Sequence, residues 1–293
     1  MSENRRTIEP RGPFDLTRSI GFLESWPVTR RPADDAVLRF AFCAEHSWQP
    51  VGVRVTQHAA RLDVDVIGTG DDVSDHVARI LSVDVDGSVV DDIAGRDAVM
   101  ARLVATAPGL RPVCFWTPWE AACWAVLSQR TSMRTASAVK QRIATTLGTP
   151  ITVDGTELLA FPAPQVLLAA PSVPGVDPVK LERIRGLATA ALDGTLTAKT
   201  LRALPSEDAL DTLRRLPGIG PFSAGLILIR GAGAPDVFTT SEPRVLSAIR
   251  AAYGLPGTAT EQDYYAIAEN WRPLRSWGMF WLRAIPAPVP AAV

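Results

Sequence analysis

The chain has 293 residues, 47% of them apolar, and 30 Lys and Arg against 31 Asp and Glu, which gives material for a large core in two or three packing units and argues against wholesale disorder. Cys43, Cys114 and Cys123 are odd in number and set among apolar residues, so they fit reduced core positions rather than a disulfide framework; with His46, His58 and His76 far from any paired cysteine, no metal site is expected. The polar start MSENRRTIEPRGPF has no apolar run behind it and no stretch approaches a membrane span, so a cytoplasmic protein without a membrane partner is expected.

The segments LRFAFCAE (38–45), VGVRVT (51–56) and RLDVDVIG (61–68) alternate apolar and polar residues as half-buried strands do, and Val73, Val77, Ile80 and Leu81 then fall at helical spacing. An α+β N-terminal domain with an antiparallel sheet is expected over 12–95. From 96 onward the chain reads as helices punctuated by proline and glycine. In TPWEAACWAVLSQR, Thr117 is placed as N-cap, Pro118 at the first helical position and Glu120 as the third member of a capping box. A helix from about Ser132 to Leu147 stops at Gly148. FPAPQVLLAA and VDPVKLERIRGLATAALDG give two more helices, and SEDALDTLRRL another, capped by Ser206. The end of the chain is a proline-rich tail, PAPVPAAV.

Charge is uneven. Residues 61–110 are rich in aspartate, whereas 111–150 carry Arg111, Arg130, Arg134, Lys140 and Arg142 against Glu120 alone, and arginines outnumber acids from 213 onward. A polyanion would bind the second half; a solvated arginine-rich surface explains the charge equally well.

LPGIGPFSAG (216–225) lies between helices. A dinucleotide fingerprint fails at Ser223, where its third glycine would stand, and the Gly-Lys-Ser/Thr of a phosphate-binding P-loop is absent. Gly218 and Gly220 instead suit a tight turn of unusual backbone angles, with Ile219 pointing inward and Pro221 starting the next helix, whose free N–H groups form an anion site suited to one phosphate. A plain helix connection is the competing reading of this stretch alone.

The continuation decides between them. LRRLPGIGPFSAG, then RGAGAPDVF, then a carboxylate-bearing loop and helix, and finally ENWRPLRSWGMFWL, resemble the helix-hairpin-helix DNA glycosylase superfamily, most closely its 3-methyladenine DNA glycosylase II branch. WEAACWAVLSQRTSMRTASAVKQRIATTLG, GFLESWPV and PGLRPV extend the resemblance to nearly the whole chain. It implies a mainly helical core of two subdomains, one formed by 96–110 and 241–285 with the catalytic-acid loop, the other by 111–240 with the helix-hairpin-helix motif at 207–231. The implied partner is double-stranded DNA containing damaged bases, bound by a monomer, nucleoid-associated if bacterial.

The implied chemistry is hydrolysis of the N-glycosidic bond of a flipped-out alkylated base, with a carboxylate stabilising the oxocarbenium-like sugar. By spacing from the hairpin and from DVF, the acid falls on Glu242, where the family has aspartate; Asp236 reads as a structural cap. Gly218, Ile219, Gly220, Phe222 and Ser223 are the expected backbone-binding residues. Gln129, Arg130, Phe222, Trp277 and Trp281 are the expected base-pocket or wedge residues, with Trp116 and Trp124 as additions better explained by core packing; a cation–π contact to a cationic alkylpurine adds roughly 0.5–2 kcal/mol. Phe222 stands where strand-nicking members carry a lysine, so a monofunctional enzyme is expected. Three cysteines are too few for an iron–sulfur cluster, and no cofactor is expected. A catalytically silent DNA-binding relative and a helical protein-interaction scaffold are the alternatives.

Overall fold

The computed structural model describes residues 4–25, 36–70 and 72–285. The proline-rich tail and the end of GFLESWPV lie outside the described residues. In chain order the elements are β1 (Asn4–Ile8), α1 (Leu16–Ser25), β2 (Val37–Cys43), β3 (Pro50–His58), β4 (Arg61–Ile67), α2 (Val73–Ile80), α3 (Val90–Arg96), α4 (Ala98–Thr106), α5 (Pro118–Leu127), α6 (Met133–Leu147), β5 (Thr149–Val153), β6 (Thr156–Ala160), α7 (Pro164–Ala169) and α8 (Pro178–Leu192). They continue as α9 (Ala198–Ala203), α10 (Ser206–Arg214), α11 (Pro221–Leu226), a π turn (Ile227–Gly231), α12 (Pro243–Tyr253), α13 (Glu261–Glu269) and α14 (Arg275–Ala284).

The N-terminal sheet is antiparallel, in the order β1-β4-β3-β2. Alternation works as expected: Leu38, Phe40 and Phe42, Val51, Val53 and Val55, and Leu62, Val64 and Val66 line one face, packed against α1 and α2. β1 begins before residue 12, and its Arg5, together with Arg54 opposite, holds Asp65 by Nε–Oδ1 and Nη1–Oδ2 contacts of 2.7 and 3.0 Å.

The second sheet face is covered as well, by a hairpin that the reading of helices punctuated by proline and glycine after 96 did not include. β5 and β6 pair across Asp154 and Gly155, at φ +50° and +74°, the backbone of a tight two-residue turn. Their valine and isoleucine sit over Gly52, where a Cβ would lie 2.5 Å from Val153 Cγ2, and Asp154 pairs with Arg39 and Arg54. The signal was present as VDGT between β-branched residues.

Helices α5 to α11 and this hairpin share one core; α3, α4 and α12 to α14 share another. α3 therefore packs with the helical subdomain although it begins before residue 96. Two buried arginines pin the N-terminal unit to the helices. Arg79 on α2 donates to the carbonyls of Phe115, Trp116 and Gly231, and Arg111 to those of Pro13, Ser82, Val85 and Arg11. Burial pushes the Arg111 guanidinium down to about 10, against Asp86 and Asp84. Four carbonyl acceptors keep it satisfied without a direct ion pair.

Two local expectations need correction. Thr117 caps α5, accepting from the Glu120 N–H at 3.1 Å, but Glu120 does not complete a capping box: its carboxylate is buried and lies 3.1 Å from Lys140 Nζ. Ser206 is the first helical residue of α10 rather than its side-chain cap, and Pro205 precedes it. Gly148 does end α6, yet at φ −77°, in ordinary extended backbone.

Candidate active site and DNA-binding hairpin

The hairpin is the turn between α10 and α11. Gly218 adopts φ +79°, the left-handed region that glycine tolerates, and Ile219 is buried in the helical core. Gly220 has φ −94° and ψ −178°, angles open to any residue, so its expected backbone peculiarity is absent. What distinguishes Gly220 is space: a Cβ there would meet nothing within 4 Å. The N-terminal turn of α11 thus opens onto solvent beside a bare backbone, with Pro221 at its first position. Phe222 is 47% exposed at this edge, whereas Ser223 is buried.

The carboxylate loop docks directly on the hairpin's second helix. Gly225 on α11 leaves only enough room for it, since a Cβ there would lie 3.0 Å from Thr239 Cγ2 and 3.7 Å from Ser241 Oγ. The loop is also braced internally, with Thr239 Oγ1 and Ser241 Oγ 2.6 Å apart and the Ser241 N–H donating to Thr239 Oγ1 at 3.0 Å. Glu242 follows as the residue preceding α12, and its side chain does not cap the helix. Its Oε1 lies 3.5 Å from Arg283 Nε on α14, with one third of the side chain exposed. Burial pushes the Glu242 carboxyl above its ordinary value, against the opposing pull of Arg283, Arg230 and Arg244.

Arg230 is a second cation behind this carboxylate. It donates to the Val113 carbonyl and lies 5.2 Å from the Phe22 ring and 5.4 Å from the Phe280 ring, which themselves meet edge to face at 5.0 Å. Phe22, Phe280, Arg230 and Arg283 did not emerge from the sequence. Phe22 comes from α1, more than 200 residues before Glu242, and no local pattern joins such positions.

The remaining expected residues separate. Trp277 and Trp281 are each 2% exposed. Trp281 donates its indole N–H to the Leu110 carbonyl, and the Arg111 guanidinium lies over Trp277 at 5.3 Å; both pack in the core and offer no open stacking face. Trp116 and Trp124 are core residues too. The Gln129 side chain turns toward the hairpin, and Arg130 stands exposed beside it at φ +53°. Asp236 holds Arg272 and Arg275, consistent with a structural role. Among the described residues no group of three or more His, Cys, Asp or Glu is placed to hold a metal ion, and no helix is long and apolar enough to cross a membrane.

No family model matches the chain. DNA-3-methyladenine glycosylase 2 of Escherichia coli (strain K12) is 27% identical over 285 residues, covering 93% of this chain and 94% of the relative. The solved structure of a 3-methyladenine DNA glycosylase from Archaeoglobus fulgidus superposes with a TM-score of 0.77 at 20% identity, covering 94% of this chain and 96% of that one. These likenesses support the helix-hairpin-helix DNA glycosylase superfamily as the family that the sequence resembles. A Schizosaccharomyces pombe 3-methyladenine DNA glycosylase, solved with abasic DNA, matches over 66% of this chain and 94% of its own, at 22% identity and a TM-score of 0.52. The overall fold is thus shared with these solved structures.

Proposed function

We propose that the protein is a base-excision repair glycosylase that hydrolyses the N-glycosidic bond of alkylated, 3-methyladenine-like bases in double-stranded DNA, acting as a monomer without strand-nicking activity. The observation that carries this reading is the docking of the 239–242 loop on Gly225, which fixes a carboxylate at a constant offset from the hairpin. The backbone N–H groups of Gly218 and Gly220 and those that follow Pro221 at the start of α11 grip one phosphate without reading bases. The damaged nucleotide leaves the stack toward Glu242.

As the glycosidic bond lengthens, positive charge develops on the sugar and the Glu242 carboxylate stabilises it; the same carboxylate orients the attacking water and takes up its proton. An alkylated purine is already cationic and departs as a good leaving group. Phe222, exposed at the hairpin edge, supplies an aromatic face to the duplex. Phe222 cannot form a Schiff base, which supports the monofunctional reading.

One observation favours a second reading, a catalytically silent damage binder: Arg283 lies against Glu242, and glutamate stands in place of the family's aspartate. Release of free base from alkylated duplex DNA tests the two. Release by the wild-type protein, with strands left intact, supports the glycosylase; salt-sensitive duplex binding without release across a lesion panel supports the silent binder.

A further inference from the structure

The turn between α5 and α6 is tied to the hairpin by a closed set of hydrogen bonds. Gln129 Nε2 donates to the Gly218 carbonyl at 2.6 Å, and Gln129 Oε1 accepts from Arg183 Nη1 at 2.8 Å. The stem of Arg183 fills the space beside Gly218, where a Cβ would lie 2.6 Å from Arg183 Cδ. Gln129 therefore uses both ends of its amide, one on the hairpin and one on α8. The same turn is held from a second side by Lys180 Nζ, which donates to the carbonyls of Leu127 and Gln129 and to Thr131 Oγ1 at 2.8, 2.9 and 3.0 Å. All three ammonium protons are used, and the charge sits at the C-terminal end of α5, where a helix favours a cation.

Between these anchored neighbours stands Arg130, exposed and in the left-handed region that a long side chain seldom occupies. Among the described residues its guanidinium has no hydrogen-bond or ion-pair partner. A backbone conformation of this kind persists only where its surroundings over-determine it. Here the surroundings are Lys180 and Gln129, and their effect is to project one free cation from a point fixed relative to the hairpin.

We propose that Gln129 is a positioning residue, a strut that sets Arg130 at a fixed offset from Gly218 so that the hairpin and Arg130 engage the same duplex. This rests on the reading of the protein as a duplex-binding glycosylase. The strut carries no base contact of its own. Its worth is realised only through Arg130, so the two residues must be coupled.

The test is a double-mutant cycle on the affinity for a 20-base-pair duplex carrying a tetrahydrofuran abasic site, with melting temperature recorded for every variant. Arg130→Ala and Gln129→Ala are each expected to weaken binding about five- to tenfold, the effect of one charge-assisted contact. The double variant should bind no more weakly than Arg130→Ala alone. Gln129→Glu keeps an acceptor for Arg183 but sets an oxygen against the Gly218 carbonyl, and should match Gln129→Ala while remaining folded. Additive losses in the cycle, or an Arg130→Ala protein of wild-type affinity, would overturn the proposal while leaving the glycosylase reading intact. A wild-type protein with no salt-sensitive duplex binding overturns both.

Discussion

Asp236 Oδ1 accepts both the backbone N–H and the Nε of Arg275, at 3.3 and 2.8 Å, while Oδ2 accepts from Arg272 at 2.6 Å. Arg275 is the first residue of α14, so this carboxylate caps the helix that carries Arg283. It has no capacity left for a sugar cation. The Glu242 side chain, by contrast, does not cap its helix, and among the described residues its ion pair is with Arg283. Glu242→Gln is expected to lower single-turnover base release about 100-fold or more, the scale of losing one preorganised electrostatic group, with duplex affinity kept. Asp236→Asn is expected to lower unfolding stability by about 1–2 kcal/mol, as partly exposed charged hydrogen bonds do, with release per folded molecule retained. Wild-type release by Glu242→Gln combined with loss in Asp236→Asn would mean that the carboxylate roles are reversed.

The two hairpin glycines call for opposite outcomes. Gly218 needs φ +79° and packs on Arg183, so Gly218→Ala forces strain into the turn and should cost about 1–2 kcal/mol of stability. Gly220 has ordinary angles and open space. Gly220→Leu should leave the melting temperature near wild type and weaken binding to damaged and undamaged duplexes by the same factor, because the new side chain meets only the phosphate backbone. Selective loss for damaged DNA in Gly220→Leu would place that residue in base recognition instead.

The hairpin was legible in the sequence because it is local: two glycines, an inward isoleucine and a proline within ten residues dictate one turn. The N-terminal strands were legible because one sheet face is buried continuously and imposes a period of two. The tryptophans were misjudged for the opposite reason. Aromatic composition does not say which faces remain open, and Trp277 loses its face to Arg111, a residue 166 positions earlier in the chain. Arg230, Phe22, Phe280 and Arg283 were equally hidden, since their meeting depends on how α1, the π turn and α14 pack.

Arg111 offers a test of how the N-terminal unit is held. Its guanidinium satisfies four carbonyls from 11–13 and 82–85, and it is 1% exposed. Arg111→Met fills the volume but leaves those acceptors without donors in a dry site, and should cost about 3 kcal/mol or more. For a chain of this size that is a fall in melting temperature of roughly 6–10 °C. Arg111→Lys should not restore it, because a single ammonium cannot span the fork that four carbonyls require. A melting curve of Arg111→Met within 2 °C or so of wild type would show that the sheet docks by apolar contact alone.

The pH dependence of base release follows from the surroundings of Glu242. Burial raises its pKa above the ordinary 4.5, and Arg283, Arg230 and Arg244, facing it from α14, the π turn and its own helix, oppose the rise. The active form is the carboxylate, so the rate should fall as pH drops through a value above 4.5, within the range where an unperturbed glutamate would still be ionised. Removing the largest opposing charge, in Arg283→Gln, should move this acid limb to still higher pH. Stability runs the other way: the protonated carboxyl suits the buried site, so the contribution of this group is fully present below 4.5 and is lost as pH rises through the folded-state value. Wild type should therefore gain stability relative to Glu242→Gln as the pH is lowered, while its activity declines. Single-turnover rates from about pH 4 to about pH 8, with unfolding measured at the same points, check both limbs together. An acid limb at or below 4.5, or one that Arg283→Gln leaves in place, would mean that the titrating group is not Glu242.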